Sequence, residues 1–397
     1  MLPKGWNLCQ FGEVAEVGSG QVDPKVEPYA SMIHIGPENI ESGTGRILSP
    51  RKCSELGLIS GKYEFDEDAV IYSKIRPHLN KVCFPGFKGV CSADAYPIWP
   101  DKTKLLPEYL KHYMLGRTFE KRAVACSMRT GMPKINREDL DGIPIVVPPL
   151  SEQRRITKIL STWDQAISAT ERLLANSEEQ KLGLMQVLLD GKHRLDGHTA
   201  GWQEHLLGKL FAERVEPNRD DLQLLSITRE QGVILRDDVG RKDTSNEDKS
   251  KYLRICPGDI GYNTMRMWQG VSALSQYEGI ISPAYTVITP GVLIDGKFAS
   301  YLFKSQSVVF LFYRHSQGLV SDTWNLKFSH FAKIKIKIPC IQEQRSIAEV
   351  LEKADQQIEV IQRQLSALRE EKAALMSQLL TGKRRVKLLD AETEAHA

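Results

Sequence analysis

Residues 148–194 read PPLSEQRRITKILSTWDQAISATERLLANSEEQKLGLMQVLLDGKHR, and residues 339–385 read PCIQEQRSIAEVLEKADQQIEVIQRQLSALREEKAALMSQLLTGKRR. A shift of 191 positions aligns the two without a gap. Glu152, Gln153, Arg154, Ile156, Leu160, Asp164, Gln165 and Ile167 fall on Glu343, Gln344, Arg345, Ile347, Leu351, Asp355, Gln356 and Ile358. Near the far end Lys181, Leu184, Met185, Leu188, Leu189, Gly191, Lys192 and Arg194 fall on Lys372, Leu375, Met376, Leu379, Leu380, Gly382, Lys383 and Arg385. A repeat of this kind decides the fold, because the chain becomes two copies of one half.

Each copy carries a helical seam. Ile347, Leu351, Ala354, Ile358, Ile361, Leu365, Leu368, Leu375 and Leu379 step by three and four, interrupted at Lys372. The first copy has Ile156, Leu160, Trp163, Ile167, Thr170, Leu174, Ser177, Lys181, Leu184 and Leu188 in the same frame, with charged residues between. Gly191 and Gly382 suit left-handed C-terminal caps, and the Lys and Arg that follow lie at the negative end of the helix dipole. Each copy is therefore expected to be a long helix, with a short first segment breaking near Asp164 or Asp355. At about 28–40 residues and 1.5 Å per residue it would run roughly 42–60 Å. The apolar stripe must be covered, and the twin stripe is the available partner. The expectation is an antiparallel coiled-coil pair separating two lobes.

With 397 residues the chain can build several cores, and 26% charged residues with a net charge of +3 describe an ordinary globular protein. That charge neither demands nucleic acid nor excludes it, since a local patch matters more than the total. Seven cysteines with no C-x-x-C pair suit a reducing compartment. No apolar run reaches membrane-spanning length, and the first residues lack a signal-peptide pattern, so a soluble cytoplasmic protein is expected.

The segments before the repeats, 1–147 and 196–338, share a skeleton. Gly5-Trp6 and Gly201-Trp202 open them, and Val70, Tyr72 and Arg76 fall opposite Ile260, Tyr262 and Arg266. Short β-rich runs (Ala69–Ile75, Tyr285–Ile288, Lys333–Ile338) mix with helical spacing over Leu106–Phe119 and Phe298–Tyr313. The fold class is α+β: two lobes with curved sheets, 1–147 and 196–338, alternating with helices at 148–195 and 339–388. Residues 389–397 are expected to be a disordered tail.

These marks resemble the specificity subunit of type I restriction–modification enzymes across essentially the whole chain. The resemblance rests on PPLSEQRRI (148–156) and PCIQEQRSI (339–347), with LLDGK (188–192) and LLTGK (379–383) closing the helices. It implies that each lobe is a target-recognition domain reading one half of a split site on double-stranded DNA. The helices would set the gap and dock two modification (methyltransferase) subunits. Those partners would carry S-adenosylmethionine, and separate restriction (motor-nuclease) subunits would use ATP and Mg2+; this chain would hold no cofactor and no metal. Helices of ~42–60 Å would place the readers about one to one and a half DNA turns apart, at ~34–36 Å per turn. Unlike lobes imply an asymmetric site.

Candidate DNA contacts fall in two loops per lobe. Lys74, Arg76, His78 and Lys81 follow a strand in the first lobe, and Asn263, Arg266 and Trp268 occupy the equivalent place in the second. Arg can hold guanine and Asn adenine through two hydrogen bonds. Arg129, Lys134, Asn136 and Arg137 form the other loop, matched by Arg314, Gln317, Trp324, Asn325 and Lys327. The bland alternatives are a solvated basic hairpin and a capping turn. Trp6 and Trp202 are expected in the core. Lys181 and Lys372 are expected to fix seam register. Glu152-Gln153 and Glu343-Gln344, in the first helical turns, are expected to cap the backbone there before any docking role, although both can hold.

No phosphate-binding loop, zinc-ligand spacing or Ser/His/Asp arrangement is visible, and neither methyltransferase nor nuclease signatures occur. The chain is expected to be non-catalytic. Two alternatives stay open: recognition for a different modification system, and a coiled-coil scaffold whose lobes bind protein.

Overall fold

The computed structural model describes residues 2–127, 132–228, 232–238, 248–319 and 323–386. The chain divides into two compact units, Met1–Glu171 with Gln364–Ala397, and Arg172–Arg363. The cuts fall within the two long helices, so each unit joins one lobe to the start of one helix and the end of the other.

In the first unit a four-stranded antiparallel sheet runs Ala15–Val17, Ala95–Pro100, Val70–Ser73, Val82–Cys83. Side chains alternate across such a sheet, and here both faces are covered. Val70, Tyr72 and Ile98 enter a core with the helices Pro107–Leu115 and Arg117–Cys126, while Ile71, Cys83 and Ala95 face Ile35, Phe65 and Cys91 of a second sheet. That explains why Val70–Ser73 is buried throughout. The lobe closes where Asn7–Gln10 pairs with Pro144–Val147, the strand leading into the long helix.

The second unit repeats this plan. Its sheet runs Phe211–Arg214, Tyr285–Pro290, Ile260–Asn263, Ser272–Leu274. Ile260, Tyr262 and Ile288 face the helical side, and Val287 and Ala273 face the other. Gln203–Leu206 pairs with Lys335–Ile338 at the matching closure.

The helical stretches expected over 106–119 and 298–313 are each two helices. The first breaks at Gly116, which is extended; a Cβ there would sit 3.1 Å from Leu380 Cδ1, so glycine permits the close approach of the second long helix. The second breaks between Gly296–Leu302 and Gln306–His315.

Leu150–Leu188 and Ile341–Leu379 are continuous helices of 39 residues each. The break expected near Asp164 and Asp355 is absent, because those carboxylates serve the seam: Asp164 pairs with Lys372 and Asp355 with Lys181. Gly191 and Gly382 have φ of +72° and +74°, and a tryptophan lies on each. A Cβ on Gly191 would come within 3.0 Å of Trp202, and one on Gly382 within 3.2 Å of Trp6. Trp6 is buried and Trp202 half-buried. Among the described residues no helix is long and apolar enough to cross a membrane.

Candidate nucleic-acid interface

Main-chain hydrogen bonds make one surface from the two candidate loops of the first lobe. Ile135 N–H donates to the Lys74 carbonyl at 3.0 Å, and Arg76 N–H donates to Pro133 at 2.8 Å. In the second lobe Leu326 N–H donates to the Thr264 carbonyl at 2.8 Å, at the equivalent position. The helices Arg117–Cys126 and Gln306–His315 pack against these loops through Pro77–Leu79 and Met267–Gln269.

The side chains divide sharply within each surface. Arg76, His78 and Lys134 are exposed in the first lobe, and Arg76 adopts a left-handed φ of +49°, uncommon for a side-chain-bearing residue. Four other candidates there have structural duties. Asn136 caps Arg137–Asp141 by accepting from Asp139 N–H at 2.7 Å. Arg137 is half-buried, lies 5.2 Å over Tyr96 and donates to the Gly18 carbonyl. Lys74 also lies 5.2 Å over Tyr96; burial, with Lys134 nearby, holds its amine below the usual lysine range. Lys81 donates to the Pro37 carbonyl at 2.5 Å. Arg129 lies outside the described residues, as does the expected tail at 389–397.

In the second lobe Arg266, Arg314, Gln317 and Lys327 are exposed. Asn325 is tied to the Gln317 and Thr323 carbonyls, and Asn263 accepts from Met265 N–H at 3.0 Å. Trp268 and Trp324 meet edge to face at 5.3 Å. They continue into an aromatic group that sequence reasoning missed. Tyr313 lies 5.0 Å from Trp324, Phe310 lies 6.2 Å from Tyr313, and these two are 56% (Phe310) and 44% (Tyr313) exposed. Their i, i+3 spacing on an amphipathic helix reads as core, which concealed them.

The helix-pair residues do more than cap. Gln153 and Gln344 are both fully buried. Gln153 accepts from Leu106 N–H at 2.8 Å and donates to the Lys104 and Pro148 carbonyls at 2.7 and 2.8 Å. Gln344 accepts from Asp295 N–H at 2.8 Å and donates to Leu293 and Pro339 at 3.0 and 2.8 Å. Each glutamine thus pins a lobe to the helix that follows it. Beside them Glu152 receives Arg385, and Glu343 receives Arg194 through two bonds of 2.6 Å. Beyond the helix start, where Gln153 and Gln344 hold the Pro148 and Pro339 carbonyls, these four residues have partners in the lobe and in the segment that follows the other helix.

Along the seam Ile156, Leu160, Leu188, Ile347, Leu351, Leu365 and Leu379 are buried. Trp163, Ile167, Leu174, Leu184, Ile358 and Leu375 are half-buried. The Asp164–Lys372 and Asp355–Lys181 pairs are related by the 191-residue shift; taken with Glu171–Arg369 in the first unit and Arg194–Glu343 in the second, they show that the helices run antiparallel within each unit. One further cluster joins the seam to the first lobe. Glu171 accepts from Arg369 at 2.7 Å and from Arg46; burial opposes its ionisation, but these hydrogen bonds outweigh burial and lower its pKa. Next to this seam His112 is fully buried with both ring nitrogens unpartnered, and burial holds it neutral.

The family model described as "Type I restriction modification DNA specificity domain" matches residues 3–178 and 237–370. The chain is 36% identical over 202 residues to the type I restriction enzyme EcoDI specificity subunit of Escherichia coli, covering 51% of this chain and 44% of that protein. It is 25% identical over 440 residues to the type I restriction enzyme MjaVIII specificity subunit of Methanocaldococcus jannaschii, covering 98% and 95%. A solved structure described under complex assembly and conformational transition of the type I R-M system aligns with a TM-score of 0.63 and 20% identity. It covers 97% of this chain and 100% of that one.

Proposed function

This chain belongs to the type I restriction modification DNA specificity family, and on that premise we propose that each lobe reads one half of an asymmetric, two-part DNA site. The observation that carries this reading is the fusion of two loops into one exposed basic surface at the same place in both lobes. Among the described residues Arg76, His78 and Lys134 are the free groups of the first surface, and Arg266, Arg314, Gln317 and Lys327 those of the second. Arginine and lysine there supply phosphate attraction and guanine recognition. Among the described residues the aromatic group of the second lobe has no match in the first, which supports unlike half-sites.

The paired helices set the number of base pairs between half-sites and dock two methyltransferase subunits. Those subunits carry S-adenosylmethionine, and the restriction subunits use ATP and Mg2+. The chain itself supplies recognition and assembly in the cytoplasm, without a catalytic step.

The test is to purify the chain with its co-expressed neighbouring subunits and select from a randomised duplex pool. Two unlike short motifs at fixed separation are expected, with Arg76→Ala and Lys134→Ala relaxing only one motif and Arg266→Ala and Lys327→Ala only the other. Recovery of partners with no split motif at any salt concentration sinks the reading.

A further inference from the structure

The two helix starts differ around one carboxylate. Glu152 receives Arg385 and also the Trp6 indole N–H at 3.2 Å. Glu343 receives only Arg194 among the corresponding donors, since the indole N–H of Trp202, which takes the place of Trp6, is buried without a partner. In place of that third donor stand two metal-ligating side chains. A ring nitrogen of His198, Cys340 Sγ and a carboxylate oxygen of Glu343 all lie within 4.8 Å of one another. Cys340 occupies the position that Pro149 fills in the first copy.

We propose that His198, Cys340 and Glu343 form a site for a zinc-class divalent ion in the second unit. Thiolate, imidazole and carboxylate together are the donor set of a borderline-soft cation, and the sulfur disfavours Mg2+ and Ca2+. Bond lengths of ~2.0–2.3 Å around a tetrahedral ion need the donors to close by about 1 Å. Glu343 is fixed by burial, whereas Cys340 is exposed and His198 half-buried, so those two side chains make the adjustment. A carboxylate offers about four lone-pair positions, of which Arg194 takes two, leaving room for a metal bond. Arg194 then orients the ligand from outside, as outer hydrogen-bond partners do in metal sites. Water completes the coordination on the exposed side of Cys340. The ion ties the segment after the first long helix to the first turn of the second.

Cobalt titration of the metal-stripped full chain tests this site. One equivalent should bind with a thiolate-to-cobalt charge-transfer band and tetrahedral visible bands, and zinc should displace it. Cys340→Pro, the residue of the first copy, and His198→Asn should each abolish these bands while leaving far-UV dichroism and metal-free melting unchanged. Cys340→Ser serves the same purpose if the proline variant does not fold. Absence of saturable bands overturns the proposal. So does a band that persists in Cys340→Ser, which would arise from another cysteine, or one that persists in His198→Asn.

Discussion

Replacing Gln153 with alanine tests whether the repeated Glu-Gln pair is the joint between lobe and helix. The substitution strands three main-chain groups: Leu106 N–H and the carbonyls of Lys104 and Pro148. A buried polar group left without its partner costs about 1–3 kcal/mol. The Pro148 bond is buried and counts nearly in full; the other two are reached partly by water and count for about 1 kcal/mol or less each. With the void left by a fully buried side chain, the loss should be about 3–4 kcal/mol. That is a large share of a typical domain's stability of ~5–15 kcal/mol. Urea unfolding measures the total, and amide exchange locates it. Leu106 N–H should lose protection in Gln153→Ala and Asp295 N–H in Gln344→Ala, each without the other. A loss below about 1 kcal/mol, or unchanged exchange at Leu106, would refute the argument.

Four further outcomes are expected. His112 is neutral when folded, with its pKa held well below 6.5, so the unfolded chain gains a proton that the folded one refuses as pH falls below 6.5. Its stabilising contribution is therefore lost on acidification, and His112→Leu should reduce the pH slope of the unfolding free energy from urea titrations between pH 7.5 and 5 by up to ~1.4 kcal/mol per pH unit. Glu171, with its pKa lowered below 4.5, contributes above that pH and loses its contribution below it. Glu171→Gln should cost about 1 kcal/mol at neutral pH and nothing in acid, read from the same urea titrations. For DNA affinity against salt, Arg266→Ala and Lys327→Ala should each lower the log–log slope by ~0.9 where the side chain meets a phosphate. Phe310→Ala should weaken binding with the slope intact. Removing one heptad from both long helices keeps the seam in register, shortens each by ~10 Å, and should reduce the selected gap by ~3 base pairs.

Periodicity made the repeat, the long helices and the glycine caps legible, because each is a local pattern. The same logic reached only part of the role of Glu152 and Gln153. First-turn position suggests capping, whereas their function depends on partners 47 and 233 residues away, Leu106 and Arg385. Asp164 reads as a helix-breaking acid until Lys372 is placed against it. In the candidate surfaces residue type alone did not separate Lys134, which is free, from Arg137, which spends its charge on Tyr96 and Gly18. Arg46 could not be singled out, since its partner Glu171 lies 125 residues away.

The makeup of the first unit also sets an order of birth. Its core includes Met376, Leu379 and Leu380 alongside residues from the first lobe. A ribosome therefore releases the first lobe about 230 residues before the side chains that finish it, a wait of roughly 11–46 s at ~5–20 residues per second. The second unit is one uninterrupted segment, Arg172–Arg363, and can mature as soon as it emerges. The first lobe is thus made before the second yet completed after it, and in the interval its uncovered apolar surface is a natural client for chaperones.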